Sequence, residues 1–245
     1  MADPLLRLER LSKRFGGQLA VDDLSLGIEG GEIYGLLGPN GSGKTTTVKM
    51  ATGLYRPTSG RVLVGGIDLH AAPEQAKRII GYIPDEPFAY ERMSGREFLH
   101  LVGELWGVRG EDRARKIDEL ADLFAIGAIL DGHVDNYSRG NRQKIAIMAA
   151  LLHAPRVLIV DEPIVGLDPE SAIRTRELLR DFAAGGGGVL LCTHTLAFAE
   201  AVCTRVGLLR SGRLVAEGDL ATLRREHPAG AGSLEDLYLH LAARP

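Results

Sequence analysis

The amino-acid sequence predicts an α/β fold in which a mostly parallel sheet is flanked by helices. Residues 33–37 and 157–160 are unbroken apolar runs, the pattern of strands that are buried on both faces of a parallel sheet. Residues 5–11, 24–28 and 61–64 have the length of short strands, and glycine pairs follow the second and third of them as turns. These three segments predict an antiparallel β subdomain beside the main sheet.

The middle of the chain has a different periodicity. From about residue 86 to 155 the apolar residues recur at helical spacing, and strand–helix alternation returns from 157 to 209. Near the end lies a short amphipathic helix without a basic face, which we expect to pack on the body rather than on a membrane. We expect one domain over 1–245, with a core of about 1–85 and 156–225, a helical subdomain of about 86–155, and a tail helix within 226–245.

A glycine-rich loop joins the first apolar run to a helix. Its sequence, Gly38-Pro39-Asn40-Gly41-Ser42-Gly43-Lys44-Thr45, fits the phosphate-binding pattern G-x-x-x-x-G-K-[ST] at every fixed position. Glycines let backbone N–H groups reach phosphate oxygens, and the helix that continues through Thr46 points its positive end at the same anion. We expect Lys44 to point into solvent without ligand and to reach the β- and γ-phosphates of a bound nucleotide, while the Thr45 hydroxyl ligates Mg²⁺. The loop predicts a nucleoside triphosphate site.

Two acids end the second apolar run. Asp161 is the expected partner of Mg²⁺, through a water molecule, and Glu162 is placed to orient or deprotonate the attacking water. An acidic pair at the end of a strand often only caps the next helix, but the phosphate loop upstream favours the catalytic interpretation. The pair therefore predicts Mg²⁺-dependent hydrolysis of the nucleotide.

A third motif lies between these two. Residues 137–144 read Tyr-Ser-Arg-Gly-Asn-Arg-Gln-Lys and precede an apolar helical stretch. On its own this octamer would be a helix cap; in this position it resembles the signature motif, L-S-G-G-Q, of the ATP-binding-cassette (ABC) family. Ser138 and Gly140 match the family's serine and second glycine, whereas Tyr137, Arg139 and Asn141 depart from the consensus.

The resemblance implies that the signature motif acts on a second subunit. Its serine hydroxyl, backbone N–H groups and helix N-terminus would be offered to the γ-phosphate of ATP held by that subunit. Arg139 would add positive charge near the same phosphate.

Four further positions follow the family's order. Asp168 matches the D-loop aspartate that contacts the partner's phosphate loop. His194, after the apolar run 189–192, matches the switch histidine, whose imidazole can hydrogen-bond the γ-phosphate. Phe15 matches the aromatic residue that stacks on adenine, and Val21 matches an apolar contact with adenine.

Asp85 departs from the family's habit. The strand that ends at Pro84 is commonly followed by glutamine, and here Asp85 takes that place. Ionised aspartate only accepts hydrogen bonds, whereas glutamine also donates them. Asp85 can meet Mg²⁺ directly or through water, or it only starts a turn before Pro87; the sequence leaves both interpretations open.

Composition limits the possible partners. The chain has 245 residues, of which 45% are hydrophobic and 25% charged, with a net charge of −3. That is an ordinary globular composition without the basic field that would indicate nucleic acid as a partner. No apolar run approaches the roughly 20 residues that span a bilayer, and no signal peptide is evident. We expect a cytoplasmic location, peripheral on the membrane through another chain.

The resemblance covers roughly residues 5–225 and implies a P-loop NTPase core of ABC type. It implies a transporter subunit that binds and hydrolyses ATP with Mg²⁺, pairs with a second cassette, identical or different, and drives a separate transmembrane permease. The layout is most similar to bacterial export systems. Two alternatives remain: a non-transport ABC ATPase acting on ribosomes or nucleic acid, and a degenerate cassette that binds ATP without hydrolysing it.

Overall fold

The structure is a computed structural model that describes residues 3–226 and 232–242. Within these residues the strands are β1 (Leu6–Phe15), β2 (Gln18–Ile28), β3 (Ile33–Leu37), β4 (Ser59–Val64), β5 (Ile67–Asp68), β6 (Ile80–Ile83), β7 (Val157–Asp161), β8 (Gly188–Cys192), β9 (Arg205–Arg210) and β10 (Arg213–Gly218). The α-helices are α1 (Lys44–Ala51), α2 (Pro73–Lys77), α3 (Gly95–Leu105), α4 (Gly110–Leu123), α5 (Arg139–Leu151), α6 (Pro169–Ala184), α7 (Leu196–Val202), α8 (Leu220–Glu226) and α9 (Leu234–Ala242).

The strands form two sheets. A four-stranded antiparallel sheet has the order β2-β1-β4-β5, and a six-stranded sheet has the order β10-β9-β3-β8-β7-β6. From β9 to β6 the second sheet is parallel, and β10 pairs antiparallel at its edge. The predicted α/β class, with its parallel sheet and separate antiparallel sheet, is confirmed.

The central strands are buried on both faces, as their composition predicts. Along β7, Leu158 and Val160 belong to one hydrophobic cluster, whereas Val157 and Ile159 belong to another. The first cluster includes residues of α3, α4 and α5, and the second includes residues of α1 and the antiparallel sheet. Successive side chains of a strand point to opposite faces, so the six-stranded sheet joins the two clusters into one packed body.

Strands β1 and β2 extend further than their sequence predicts. Their pairing register shifts between Leu8 and Leu11 and again after Leu11. Arg10 and Asp23 have positive φ angles of 46° and 52°. These irregularities break the period-two pattern, and the sequence predicts only residues 5–11 and 24–28 as strands. The extension carries the β1–β2 hairpin to the mouth of the cleft described below.

Helix α9 packs on the body, as predicted. Leu234 and Leu237 are fully buried in a cluster with Leu37, Ala199 and Leu223. The remainder of the predicted tail, residues 227–231 and 243–245, lies outside the described residues. Among the helices of the described chain, none combines the length and hydropathy needed to cross a membrane.

Candidate nucleotide site

The phosphate loop runs from the end of β3 to the start of α1 and is pressed against neighbouring strands. A Cβ atom on Gly38 would lie 2.3 Å from the Leu209 carbonyl oxygen, and one on Gly43 would lie 2.5 Å from the Ala20 carbonyl oxygen. Gly43 also has a φ of 108°, in the left-handed region that favours glycine. The glycines are therefore required by space and by backbone conformation, and the loop wraps the positive end of α1.

Lys44 does not point into solvent, so that prediction is wrong. The residue is 8% exposed. Its Nζ donates to the carbonyl oxygens of Gly38 at 2.6 Å and Pro39 at 3.0 Å. A buried ammonium group needs hydrogen-bond partners, and the loop's own carbonyls supply them. A bound phosphate would compete with these carbonyls for a cation that the loop already holds in place.

The loop forms the floor of a cleft of about 710 Å³. Most of the residues predicted to hold nucleotide within one chain line it together. They are Phe15, Asn40, Gly41, Gly43, Lys44, Thr45, Thr46, Asp85, Asp161, Glu162 and His194. The sequence did not predict the lining residues Gln18, Leu19, Ala20, Val165 and Ser211.

One end of the cleft is aromatic and apolar. Phe15 is exposed there and packs edge-on against Tyr55, with ring centroids 5.5 Å apart. Val21, predicted as an adenine contact, is fully buried in the core and does not line the cleft. Leu19 and Ala20 present the apolar surface instead. The segment predicted to contact adenine borders the cleft, but packing decides which of its residues faces the cleft.

Asp161 ends β7 at the other side of the loop and is 4% exposed. Burial, followed by the charges of Glu162 and Asp85, raises its pKa to about 6, and Lys44 partly offsets this. A divalent cation would relieve the same repulsion. In the described chain no group of three or more His, Cys, Asp or Glu side chains is arranged to hold a metal. The buried Asp161 carboxyl beside the charges of Glu162 and Asp85 fits an ion such as Mg²⁺, which takes one or two carboxylate contacts and completes its shell with water and phosphate oxygens.

Glu162 is held by the segment that follows β8. Its carboxylate accepts hydrogen bonds from the Thr193 hydroxyl at 2.8 Å and the His194 backbone N–H at 2.8 Å, and His194 Nδ1 lies 2.7 Å away. Its φ is 50°, a left-handed conformation that costs a non-glycine residue about 1–3 kcal/mol and clusters at active sites. The candidate base and the candidate γ-phosphate sensor are thus in direct contact. The buried Thr193 was not a predicted site residue, although it is adjacent to His194.

Of the four predicted signature residues, one lines the cleft of its own chain and three do not. Ser138 caps α5, its hydroxyl accepting from the Asn141 N–H at 3.2 Å. A Cβ on Gly140 would lie 2.5 Å from the Gly166 carbonyl oxygen, so α5 packs directly on the D-loop, residues 164–169. Neither Ser138, Gly140 nor Asn141 lines the cleft of its own chain, whereas Arg139 does, with Nη2 3.2 Å from Asp85 Oδ1.

Asp168 is the N-cap of α6. It accepts from the Ser171 N–H at 2.9 Å and the Ser171 hydroxyl at 2.6 Å, and Lys144 Nζ lies 3.2 Å away. These hydrogen bonds hold the pKa of Asp168 well below its usual range. Within one chain this aspartate is a structural link between α5 and α6, and its contact with a partner subunit stays a prediction.

A smaller cavity of about 270 Å³ adjoins the cleft on the far side of Asn40 and His194. Gly38, Pro39 and Tyr238 are among the other residues that line it. Tyr238 belongs to the tail helix, and no local motif predicts its position next to the phosphate loop. The tail helix therefore contacts the surroundings of the nucleotide site as well as the core.

Together the fold and the cleft are those of a nucleotide-binding α/β protein, and comparison with known proteins gives its family. Residues 21–165 match the family model described as ABC transporter. A solved structure described as the ATP-binding subunit of an ABC transporter has a TM-score of 0.92 and 34% identity, covering 97% of this chain and 99% of that one. This chain belongs to the ABC transporter family, as one of its ATP-binding subunits. The predictions of the family and of an ATP-binding subunit are confirmed.

Two bacterial relatives match most of this chain but are themselves longer than it, to different extents. The daunorubicin resistance ATP-binding protein DrrA3 of Streptomyces coeruleorubidus is 36% identical over 227 residues, 92% of this chain and 72% of that protein. The probable multidrug ABC transporter ATP-binding protein YbhF of Escherichia coli (strain K12) is 34% identical over 216 residues, 88% of this chain. The chain spans only 37% of the length of YbhF.

Proposed function

We propose that this chain hydrolyses Mg-ATP in the cleft between the phosphate loop and β7, and that hydrolysis drives a separate membrane permease. The observation that carries the proposal is the convergence of Lys44, Asp161, Glu162 and His194 on one cleft. A triphosphate would be held by the N–H groups of the loop and by Lys44, with adenine against Phe15, Leu19 and Ala20.

The metal and the water have separate protein partners in this proposal. Thr45 and Asp161 would hold Mg²⁺, with Asp85 as a further candidate, and the ion would neutralise charge on the β- and γ-phosphates. Glu162 orients the water and accepts its proton. His194, 2.7 Å from Glu162, is placed to hydrogen-bond the γ-phosphate and to change its contact with Glu162 when that phosphate leaves.

The site requires a second cassette, identical or different. Ser138, Gly140 and Asn141 lie outside their own chain's cleft, and Ser138 begins a helix whose first turn offers N–H groups. We infer that these residues complete the site of the other subunit. ATP would then be bound between two chains, and loss of the γ-phosphate would loosen the pair.

An apolar surface next to the helical region supports docking of a membrane protein. Phe88 and Tyr90 are exposed beside Asp85, and Leu105 is 77% exposed. Trp106 stacks on His153 at 4.2 Å between ring centroids and lines a cavity of about 220 Å³. Phe88 and Tyr90 contact each other with ring centroids 5.4 Å apart, and exposed apolar patches mark interaction sites. We propose that the permease binds here, which would place the chain on the cytoplasmic face of the membrane.

Export is the direction that we propose. The two relatives reported above have names that refer to daunorubicin resistance and to multidrug transport. The net charge of −3 does not favour the alternative of a nucleic-acid partner.

The test of this proposal uses the Glu162→Gln variant, which keeps the size of the side chain and one acceptor oxygen and removes the base. We expect it to form a dimer with Mg-ATP in size-exclusion chromatography and to remain monomeric without nucleotide. Adding Ser138→Arg should block the dimer while leaving ATP binding to the monomer unchanged. A dimer that persists with Ser138→Arg would contradict the shared site, and failure to copurify with any multi-helix membrane protein from the native host would contradict the transport role.

A further inference from the structure

The Asp85–Arg139 ion pair joins two positions at which this sequence departs from the ABC family's pattern. Asp85 stands where glutamine is common, and Arg139 stands where the signature has its first glycine. Arg139 Nη2 lies 3.2 Å from Asp85 Oδ1, and both side chains line the nucleotide cleft of their own chain. These two residues that depart from the family's pattern therefore form an ion pair with each other.

Further contacts fix the positions of the two segments that carry Asp85 and Arg139. The stem of Arg139 packs on the D-loop, because a Cβ on Gly166 would lie 3.1 Å from Arg139 Cδ. One turn further along α5, the fully buried Gln143 donates from Nε2 to the Pro84 carbonyl oxygen at 3.4 Å. The start of α5 thus contacts the segment after β6 at two successive residues, Pro84 and Asp85.

The N-terminus of α5 has an excess of positive charge. Its first turn contains no acidic residue and carries Arg139 and Arg142 in addition to the positive end of the helix dipole. A carboxylate is stabilised at such a place, and Asp85 supplies one from another element. A γ-phosphate would be attracted for the same reasons, since arginine and helix N-terminal N–H groups both bind phosphate.

We propose that Asp85 is a positioning residue that latches Arg139 within its own subunit, and that the γ-phosphate of the second subunit's ATP displaces Asp85 when the two subunits close. The inference rests on the proposed function, in which the signature loop completes the partner's site. Because the two side chains are 55% and 46% exposed, their ion pair is weak and exchangeable. Closure of the two subunits would then require an anion that binds Arg139 strongly enough to replace Asp85.

The test is a double-mutant cycle on ATP-dependent dimerisation. Four chains carry Glu162→Gln, so that ATP is retained: the parent, Asp85→Asn, Arg139→Gln, and both changes together. Dimer dissociation constants are measured by light scattering at saturating Mg-ATP. We expect Asp85→Asn to tighten the dimer about two- to tenfold. In each subunit one weak surface ion pair, Asp85–Arg139, no longer competes with the γ-phosphate for Arg139. Arg139→Gln should weaken it about tenfold or more. Asp85→Asn should have no effect once Arg139 is absent.

A matched control lies on the same helix. Arg142, in the first turn of α5, pairs at 3.9 Å with the exposed Glu91, so Glu91→Gln removes a similar charge that the proposed latch does not use. The control should leave the dimer constant unchanged, and the gain from Asp85→Asn should shrink at high salt.

Three results would overturn the latch. One is an unchanged dimer constant in Asp85→Asn, and another is a gain that persists without Arg139. The third is an Asp85→Asn variant whose only defect is a higher Mg²⁺ requirement in a parallel titration, which would make Asp85 a metal-side residue. Absence of any ATP-dependent dimer in the parent would instead reject the shared site itself, and the latch with it.

Discussion

The two walls of the nucleotide cleft differ in how firmly the fold holds them. On the inner wall, Lys44 and Asp161 are almost fully buried, Lys44 at the start of α1 and Asp161 at the end of β7. On the outer wall, the side chains of Arg139 and His194 are 55% and 63% exposed and belong to segments that begin helices. The inner wall is organised before nucleotide arrives, whereas the outer wall has partners that it can exchange.

This difference indicates a division of labour. Buried polar groups keep fixed partners because leaving them unpaired is costly, as the two carbonyl contacts of Lys44 illustrate. Exposed ion pairs contribute little and rearrange easily. We infer that the inner wall binds and hydrolyses ATP, and that the outer wall senses ATP and the second subunit. The predictions below test this division.

The largest effect is expected at the junction of the two walls. Glu162→Gln preserves the size of the side chain and one acceptor oxygen while removing the base. We expect turnover to fall about 10²- to 10⁴-fold, the usual contribution of a positioned general base, with ATP affinity unchanged. Steady-state phosphate release, with ATP binding measured by calorimetry, is the test. Normal turnover would mean that another group activates the water.

A smaller but distinct effect is expected on the inner wall. Lys44→Ala removes a charged donor from the phosphates, and we expect ATP affinity to fall about 10- to 100-fold, as for loss of a hydrogen bond to a charged group. The melting temperature without nucleotide should fall only slightly, through the unpaired carbonyls of Gly38 and Pro39. Calorimetry and thermal melting of the variant separate the two effects. Unchanged ATP affinity would exclude the phosphate-loop assignment.

The burial of Asp161 predicts a pH effect on stability without Mg²⁺ or nucleotide. Its pKa is raised to about 6 from a model-peptide value of 3.8, so between these values the folded chain binds more protons than the unfolded chain. The contribution of this carboxyl to stability is therefore present at low pH and is lost as the pH rises through about 6.

Asp161→Asn removes that titration and keeps the shape of the side chain. We expect the variant to melt several degrees above the parent at pH 7, because each kcal/mol moves the melting temperature of a domain of this size by about 2–4 °C. The gap should change little between pH 7 and about 6 and should then shrink as the pH is lowered to 4. A gap that is constant over this range would show that Asp161 is not the buried, repelled carboxylate of the inner wall.

The smallest effect is expected for the tail helix α9, whose Tyr238 lines a cavity together with Asn40 of the phosphate loop and His194 of the outer wall. Tyr238→Ala should change kcat modestly, about twofold to fivefold, without unfolding the chain, because Tyr238 lines the cavity beside Asn40 and His194. Leu239→Ala is the matched control, since Leu239 is exposed on the same helix. Equal kinetics for both variants and the parent would restrict the helix to a packing role.

The inner wall could be predicted from sequence because its elements are local. The phosphate loop and the acids after β7 each lie within a few residues at fixed spacing, and each follows a strand that composition alone identifies. The order of the motifs then predicts the fold. Strands β1 and β2 were predicted only in part, because bulges near Arg10 and Asp23 interrupt their alternation.

The outer wall could not be predicted in the same way, because its contacts join distant segments. Asp85 and Arg139 are 54 residues apart, and nothing local to either position predicts their pairing. The contact of Tyr238 with the phosphate-loop cavity depends on how the tail folds back. Even on the inner wall, the carbonyl partners of Lys44 and the burial of Val21 depend on packing.

The central claim is that one chain's inner wall holds ATP and another chain's outer wall completes the site. The most direct measurement mixes two variants, both carrying Glu162→Gln: a tagged chain with Lys44→Ala, whose ATP affinity is about 10- to 100-fold lower, and an untagged chain with Ser138→Arg, whose signature is blocked. The Mg-ATP concentration is set so that only an intact phosphate loop is filled. With Mg-ATP, neither should pair with itself, and pull-down should recover the mixed pair, in which one site has an intact phosphate loop and an intact signature. Self-pairing of the Ser138→Arg chain, or absence of the mixed pair where the Glu162→Gln parent dimerises, would contradict the account.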